Sequence, residues 1–159
     1  ELTGMDGLSG GCYSSAAMVL ETSSVCELPF SKLETLCHDL PGLQKQMWNV
    51  VGREITSDQH MLMLLGKRTA EERMASFMLS LSTRYHNRNL SATEFNLPMS
   101  RQDIGNYLGL AIETVSRLFA SFQEKGILKV NRRQILILDM DSLNGMVEAC
   151  VKQSMGSAM

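Results

Sequence analysis

The strongest constraint on the fold is the stretch DIGNYLGLAIETVSRLF (residues 103–119), in which two short apolar runs meet at a glycine. The preceding segment SRQD (residues 100–103) has the spacing of a helix N-terminal cap. It predicts a helix of about two turns that ends near Gly109. A second helix is predicted over residues 111–125. Because glycine adopts a left-handed backbone without a Cβ penalty, the pattern indicates a helix-turn-helix.

A β-hairpin is predicted directly after these helices, in ILKVNRRQILIL (residues 127–138), where two β-branched runs flank a polar, basic turn. The hairpin makes the predicted unit a winged helix. Gly105 leaves room for the second helix to approach the first. The apolar residues expected to face inward are Ile104, Leu108, Leu110, Val115 and Leu118.

Three polar residues of the second helix, Glu113, Ser116 and Arg117, are spaced to share one face. Arginine can bridge O6 and N7 of guanine, glutamate can accept a hydrogen bond from cytosine N4, and serine adapts to either. These residues are therefore predicted to read DNA bases. Alternatively, Glu113 complements the helix dipole and Arg117 pairs with it in solvent. The adjoining turn at Gly109 and the hairpin favour base reading over this alternative.

A second set of residues is expected to hold DNA phosphates, either at helix N-termini, where amides point outward, or from the wing. The set is Ser100, Arg101, Gln102, Thr114, Arg132 and Arg133. For the wing residues, the alternative is a solvated loop. Since the net charge is −2, binding to double-stranded DNA must come from a local patch.

A long helix is predicted over residues 42–67, with two apolar stripes. A helix that is apolar on two sides packs on its own domain with one of them, and a second copy of the chain is the simplest partner for the other. The expected homodimer seam is Trp48, Val51, Ile55, Asp58, Leu62 and Leu65. Asp58 would face its own copy, and repulsion between the carboxylates predicts a weak dimer. The alternative places Asp58 in solvent at a flared end.

The predicted fold is mainly α with small β. Glycine-rich turns and β-branched stretches predict strands in residues 1–31, and FSKLETLCHDL (residues 30–40) predicts one or two helical turns. A capping box at residues 69–72 begins another helix, and residues 85–100 are predicted as a loop. We divide the chain into the end of a β-domain (1–40), a dimerisation helix (41–67), a winged-helix DNA-binding domain (68–148) and a tail (149–159). An amphipathic turn or two of helix is predicted after Asp139, and disorder is expected in SMGSAM (residues 154–159).

Other classes of protein receive little support from the sequence. Cysteines at 12, 26, 37 and 150 are unevenly spaced, which favours reduced thiols over a disulfide framework. There is no apolar run of the roughly 20 residues that a membrane span needs, so we expect a cytoplasmic protein without a membrane partner. A thiol or metal enzyme lacks any nucleophile–base spacing, so the protein is not expected to be an enzyme. A helical interaction module is a further alternative, in which Glu113, Ser116 and Arg117 would be ordinary polar surface residues.

Because the sequence begins with Glu1, we interpret it as an excised or processed piece.

The segment MSRQDIGNYLGLAIETVSRLF (residues 99–119) resembles the helix-turn-helix of the CRP/FNR superfamily of bacterial transcription regulators. Its E-x-x-S-R pattern is similar to the FNR (fumarate and nitrate reduction) branch. The cyclic-AMP receptor branch has Arg and Gly where this chain has Ile112 and Ser116. A cyclic nucleotide would also need a cation for its phosphate, and no Lys or Arg precedes Lys32. The resemblance extends through LETSSVCELPF and REITSDQHMLMLLGKRTAEERMASF.

This resemblance implies a β-roll sensor, of which residues 1–40 are a remnant, followed by the dimerisation helix and the winged helix. It implies that a homodimer binds a TTGAT–ATCAA palindrome, contacts RNA polymerase and senses oxygen through a [4Fe–4S] cluster. Cys26 matches the fourth cluster ligand, and Ile55 and Asp58 match positions that couple cluster state to association. One ligand of four cannot hold a cluster, so none is expected in this chain alone. Ala111 replaces the Ser or Thr cap of many relatives, at a cost of about 1 kcal/mol.

Overall fold

The computed structural model describes residues 3–8 and 11–147 and is mainly helical with one small sheet, as predicted. A 3₁₀ turn at Met5–Leu8 is followed by α1 (Phe30–Asp39), α2 (Pro41–Lys67), α3 (Ala70–Asn87), β1 (Glu94–Asn96), α4 (Arg101–Leu108), α5 (Ile112–Glu124), β2 (Leu128–Asn131) and β3 (Gln134–Ile137). Residues 140–147 are also helical. Within the described ranges, no helix combines the length and apolarity needed to cross a membrane.

The chain divides into two compact units between Gln59 and His60. In the first unit, the predicted strands are wrong, because residues 3–8 and 11–29 contain no strand. A strand is stabilised by a hydrogen-bonded neighbour, and no extended segment of this unit pairs with these residues. The short helix expected near residue 30 is the ten-residue α1, which buries none of its residues.

The second unit contains the hydrophobic core, which α3, α4, α5 and the sheet enclose. Phe122, Met74, Met78 and Ile104 are among its largest fully buried side chains. The predicted capping box of α3 is confirmed: Thr69 N donates to Glu72 Oε2 at 2.7 Å, and Glu72 N donates to Thr69 Oγ1 at 3.3 Å. These contacts fix where α3 begins, because they satisfy amides that have no partner inside the helix.

The sheet is antiparallel in the order β1-β3-β2. The predicted hairpin is confirmed as β2 and β3, with Asn131 opposite Gln134. Strand β1 lies within residues 85–100, where only a loop was predicted, and α3 continues to Asn87. Phe95 alone is buried in this strand and stacks on Tyr85 at a ring-centroid distance of 4.9 Å. A three-residue strand with one buried side chain is too short to show a period of two.

The turn or two of helix predicted after Asp139 is present as residues 140–147, and Leu143 is fully buried in the core. Asp139 Oδ1 accepts a hydrogen bond from Ser142 N at 2.9 Å at the start of this segment. The predicted tail, residues 149–159, lies outside the described residues, together with Cys150 and the segment SMGSAM that was expected to be disordered.

Candidate DNA-binding interface

A glycine corner joins α4 to α5, as predicted. The cap of α4 is reciprocal, because Ser100 N donates to Asp103 Oδ2 at 2.8 Å and Asp103 N donates to Ser100 Oγ at 3.2 Å. The helix ends at Gly109, whose φ of 63° is left-handed. Leu110 N then donates to Gly105 O at 2.9 Å. A Cβ on Gly105 would lie 2.6 Å from Leu110 O, so only glycine fits this crossing without movement.

The inner face of α5 consists of Val115, Phe119 and Phe122, which are buried in the core. This burial orients the helix, because the opposite face must then point to solvent. Glu113, Ser116 and Arg117 are all exposed, as their predicted role requires. Their use in reading bases stays a prediction.

Local hydrogen bonds hold two of these exposed side chains. Ser116 Oγ donates to Ile112 O at 3.0 Å, and Arg117 Nη2 donates to Thr114 Oγ1 at 3.2 Å. Within the described part of the chain, Glu113 and Arg117 form no ion pair. The alternative in which Arg117 is neutralised by Glu113 is therefore not the geometry observed, and both charges remain available to a partner.

The N-terminus of α5 has no side-chain cap, because Ala111 occupies the cap position. Both α3 and α4 begin with complete capping boxes, so α5 differs from its neighbours. The first N–H groups of an uncapped helix have no side-chain acceptor, and they form the positive end of the helix dipole. Thr114, predicted as a phosphate contact, lies in this first turn and is half-buried.

The wing places two arginines, Arg132 and Arg133, in the turn between β2 and β3, where both are exposed. Arg132 has a φ of 55°, a left-handed conformation that is uncommon for a residue with a long side chain. Gln123 of α5 connects the wing to the helix, because its Oε1 accepts a hydrogen bond from Val130 N at 3.2 Å. Sequence reasoning missed Gln123, since nothing local distinguishes it from a solvated glutamine.

A pocket of about 210 Å³ lies between the start of α4 and the wing. It is lined by Leu97, Met99, Ser100, Arg101, Ile104, Arg132 and Arg133. Three of these seven residues are arginines and none is acidic. The pocket thus brings together four of the six residues predicted to hold phosphates. Of the other two, Gln102 is exposed and donates to Asn106 Oδ1 at 3.0 Å, whereas Thr114 lies on α5.

Arg101 differs from the other predicted phosphate contacts because it is turned inward. Its guanidinium carbon lies 3.5 Å from the ring centroid of Phe119, and its Nη1 is buried without a hydrogen-bond partner. Burial lowers the pKa of Arg101 below its ordinary value, although a guanidinium stays charged at neutral pH. A phosphate contact by Arg101 would require the side chain to leave Phe119 or the anion to enter the pocket.

Arg73 was missed by sequence reasoning, because its partners are distant along the chain. Its Nε donates to Arg68 O at 3.0 Å, Nη1 donates to Leu108 O at 3.1 Å, and Nη2 donates to Leu65 O at 2.6 Å. The guanidinium therefore binds carbonyls of the last turn of α2, the connection before α3 and the end of α4.

The residues of the predicted dimer seam are all helical in α2. In the first unit, Trp48 and Ile55 are 67% and 53% exposed, Asp58 is exposed and Val51 is half-buried. In the second unit, Leu62 is 72% exposed and Leu65 is half-buried. Large apolar side chains left in solvent over several turns are typical of a surface that another protein covers.

The cysteines that the structure describes are free thiols: Cys12 and Cys26 are exposed and Cys37 is half-buried. Among the side chains that the structure describes, no three His, Cys, Asp or Glu converge as metal ligands would. Since an iron–sulfur cluster needs four ligands, the described residues of this chain do not form such a site by themselves.

Comparison with known proteins identifies residues 72–146 as a Crp-like helix-turn-helix domain. The transcriptional activator FnrA of Stutzerimonas stutzeri is 50% identical over 139 residues, which are 87% of this chain and 57% of that protein. The fumarate and nitrate reduction regulatory protein of Escherichia coli K12 is 47% identical over 143 residues, which are 90% of this chain and 57% of that protein. The chain thus spans somewhat more than half the length of these relatives.

Among solved structures, FixK2 from Bradyrhizobium japonicum aligns with a TM-score of 0.68 at 35% identity, covering 73% of this chain and 57% of that one. The Crp-like domain includes the corner and wing described above, since residues 72–146 contain α4, α5 and the hairpin. The resemblance inferred from the E-x-x-S-R pattern is therefore confirmed. Residues 72–146 thus form a Crp-like helix-turn-helix domain, and over the residues that these relatives match the chain is similar to FNR-type regulators of the CRP/FNR superfamily.

Proposed function

We propose that this protein is a sequence-specific, DNA-binding transcription regulator that places α5 in the major groove. The observation that carries the proposal is the outer face of α5. There Glu113, Ser116 and Arg117 are exposed with no ion pair between the two charges, beside a wing whose turn carries two arginines. The major groove of B-DNA is wide enough to admit an α-helix such as α5.

The chemistry of these three side chains suits a TTGAT–ATCAA palindrome. Arg117 would donate two hydrogen bonds to O6 and N7 of the guanine, and Glu113 would accept from N4 of a cytosine. Ser116 would contact a neighbouring base edge. To do so, Arg117 must give up only its hydrogen bond to Thr114 Oγ1, which is exposed to solvent competition already.

DNA phosphates on either side of α5 would be held by the residues predicted above as phosphate contacts. Arg132, Arg133 and Ser100 line the cationic pocket beside the wing. Gln102 and Thr114 lie in the first turns of α4 and α5, where amides and dipoles favour anions. Arg101 would join them by leaving the Phe119 ring. Such contacts fix the register of the protein on DNA and make its affinity depend on salt.

A homodimer follows from the two-fold symmetry of a palindrome, whose half-sites lie about 34–36 Å apart. We propose that α2 forms the seam through Trp48, Val51, Ile55, Leu62 and Leu65. In this arrangement, Asp58 faces the same residue of the second copy. Two carboxylates in contact repel each other and lose water, so we expect the Asp58 pair to weaken the association of the two copies.

The name of the relative FnrA supports a transcriptional activator. From the resemblance to the FNR branch, we propose that the whole protein responds to oxygen and contacts RNA polymerase. Cys26 would supply one ligand of a [4Fe–4S] cluster, and the others would come from residues beyond those described. Cys26 is a free, exposed thiol, which leaves it accessible for ligation. The described residues hold no complete ligand set by themselves.

Fluorescence anisotropy tests the proposal, with a TTGAT–ATCAA duplex compared with a scrambled duplex of equal length. We expect wild-type protein to prefer the palindrome, and Arg117→Glu to bind both duplexes equally weakly. Arg88→Glu is the matched control, because it reverses the same charge at the C-terminal cap of α3. The proposal fails if wild-type protein does not distinguish the duplexes, or if Arg117→Glu still does.

A further inference from the structure

We propose that Arg73 is a positioning residue that ties the last turn of α2 to the glycine corner and thereby sets the orientation of α5. This inference rests on the proposed function, since orientation matters only if α5 reads DNA. The side chain itself touches neither base nor phosphate in this scheme. It acts through three carbonyls, those of Leu65, Arg68 and Leu108, at distances of 2.6–3.1 Å.

Two of these carbonyls belong to helix C-termini that need a donor. Leu65 lies within the last four residues of α2, and Leu108 is the last residue of α4. Carbonyls in these positions have no amide partner within their helix and form the negative end of its dipole. One half-buried guanidinium therefore caps two helices, α2 and α4, which lie on either side of α3 in the sequence.

The planar fork of arginine is needed for this arrangement. The three contacts use Nε, Nη1 and Nη2, one donor nitrogen for each carbonyl. Lysine presents its three donors from a single nitrogen and cannot reach carbonyls spread around a plane. Substitution by lysine keeps the charge but loses the geometry, which separates positioning from simple electrostatic stabilisation.

Packing at the corner carries the connection further. A Cβ on Gly109 would lie 3.5 Å from Arg73 Nη1 and 3.7 Å from Leu65 Cδ2, so the corner rests directly on both side chains. From Gly109 the chain passes to Leu110, whose amide is bonded to Gly105 O, and then into α5. A shift of the last turn of α2 therefore moves the glycine corner and, with it, the start of α5.

In a dimer held by α2, this link determines how far apart the two copies of α5 lie. Palindrome spacing is then read through Arg73, whereas base identity is read by α5 alone. We expect wild-type protein to prefer the natural spacing over palindromes lengthened or shortened by one base pair, by on the order of tenfold, which is typical of coupling through a structural element. Arg73→Gln and Arg73→Lys should reduce this preference to below about fivefold, which is the lower end of the range typical of coupling between sites.

Arg68→Gln is the matched control. It removes a guanidinium five residues away, whose Nη1 donates to Ser76 Oγ at 2.5 Å and which forms no hydrogen bond with residues 105–110. The control should keep the spacing preference. All variants should keep their discrimination between TTGAT and a half-site with one altered base. If Arg73→Gln and Arg73→Lys retain the full spacing preference, Arg73 is merely structural and the inference is overturned.

A measurement without DNA separates failure of this inference from failure of the proposed function. Spin labels are attached to cysteines introduced at Met63 and Ala120, which are both exposed. Pulsed electron paramagnetic resonance then reports the distance between α2 and α5. The native cysteines are first replaced by serine: Cys12, Cys26, Cys37 and Cys150. Diluting labelled with unlabelled chains restricts the signal to one protomer. The distance distribution should be narrow in wild type and Arg68→Gln and broad in Arg73→Gln. A narrow distribution in Arg73→Gln overturns the inference whether or not the protein binds DNA.

Discussion

Substitution of Gly105 by alanine tests the closest backbone approach in the helix-turn-helix. The added Cβ would lie 2.6 Å from Leu110 O and 3.7 Å from Val115 Cγ2. The Leu110 carbonyl cannot move alone, because the amide of the same residue donates to Gly105 O at 2.9 Å. Relief of the clash must therefore shift the corner and the start of α5 together.

Two effects of opposite sign contribute to the free energy of unfolding. Alanine is favoured over glycine inside a helix by about 1 kcal/mol. Forcing a methyl group into a closely packed contact costs about 1–3 kcal/mol. Gly145→Ala isolates the first effect, since Gly145 lies in the helical residues 140–147 and its Cβ would meet none of the described atoms within 4 Å. The difference between the two variants then reports the clash alone.

Urea unfolding followed by circular dichroism measures both variants. We expect Gly145→Ala to be more stable than wild type by up to about 1 kcal/mol, and Gly105→Ala to be less stable than Gly145→Ala by about 1–3 kcal/mol. If the two variants gain equal stability, the corner is not tightly packed and the reasoning about Gly105 is refuted.

Three further predictions concern caps and charges. Ala111→Ser should stabilise the protein by about 1 kcal/mol in urea unfolding, because it supplies the cap that α5 lacks; unchanged stability would contradict this. Hydrogen bonds from Ser100 hold the pKa of Asp103 below its ordinary value of 3.8, so their contribution is complete above pH 3.8 and is lost as pH falls through the lower folded value. Ser100→Ala should therefore lower the urea midpoint at pH 7, and the deficit should shrink in acid; a deficit independent of pH would show that the pair is not responsible. Asp58→Ala should tighten self-association in sedimentation equilibrium, and an equal or weaker dimer would remove Asp58 from the seam.

The features that could be predicted from the sequence are those specified by residues close together in the chain. The caps at Thr69 and Ser100 and the corner at Gly109 each depend on neighbours within a few positions. The hairpin also depends on a short turn. The inner face of α5 was predicted in part, through Val115 and Leu118, because apolar spacing identifies one side of a helix.

The features that were missed depend on partners distant in sequence. Strand β1 exists because β3, about 40 residues later, pairs with it. Arg101 was predicted as a phosphate contact from its position at a helix N-terminus, yet Phe119 attracts its guanidinium in the folded chain. Arg73 and Gln123 bind backbone atoms of other elements, and no local pattern distinguishes them from surface polar residues. The strands expected in residues 1–31 are absent from residues 3–8 and 11–31 for the converse reason, since the composition was suitable but no described strand pairs with these residues.

The central claim is that the outer face of α5 reads bases, and one binding experiment with matched duplexes tests it most directly. The guanine pair of each TTGAT half-site is changed to an adenine pair, and affinities are compared for wild type and Arg117→Ala. For wild type, we expect the change to cost about 1–3 kcal/mol per half-site. For Arg117→Ala, the cost at this pair should fall to the part that Glu113 contributes through the paired cytosine, and it should vanish when Glu113 is also replaced by alanine. A change at another pair of the half-site should still weaken binding by both variants. A guanine preference as large in Arg117→Ala as in wild type would contradict the account.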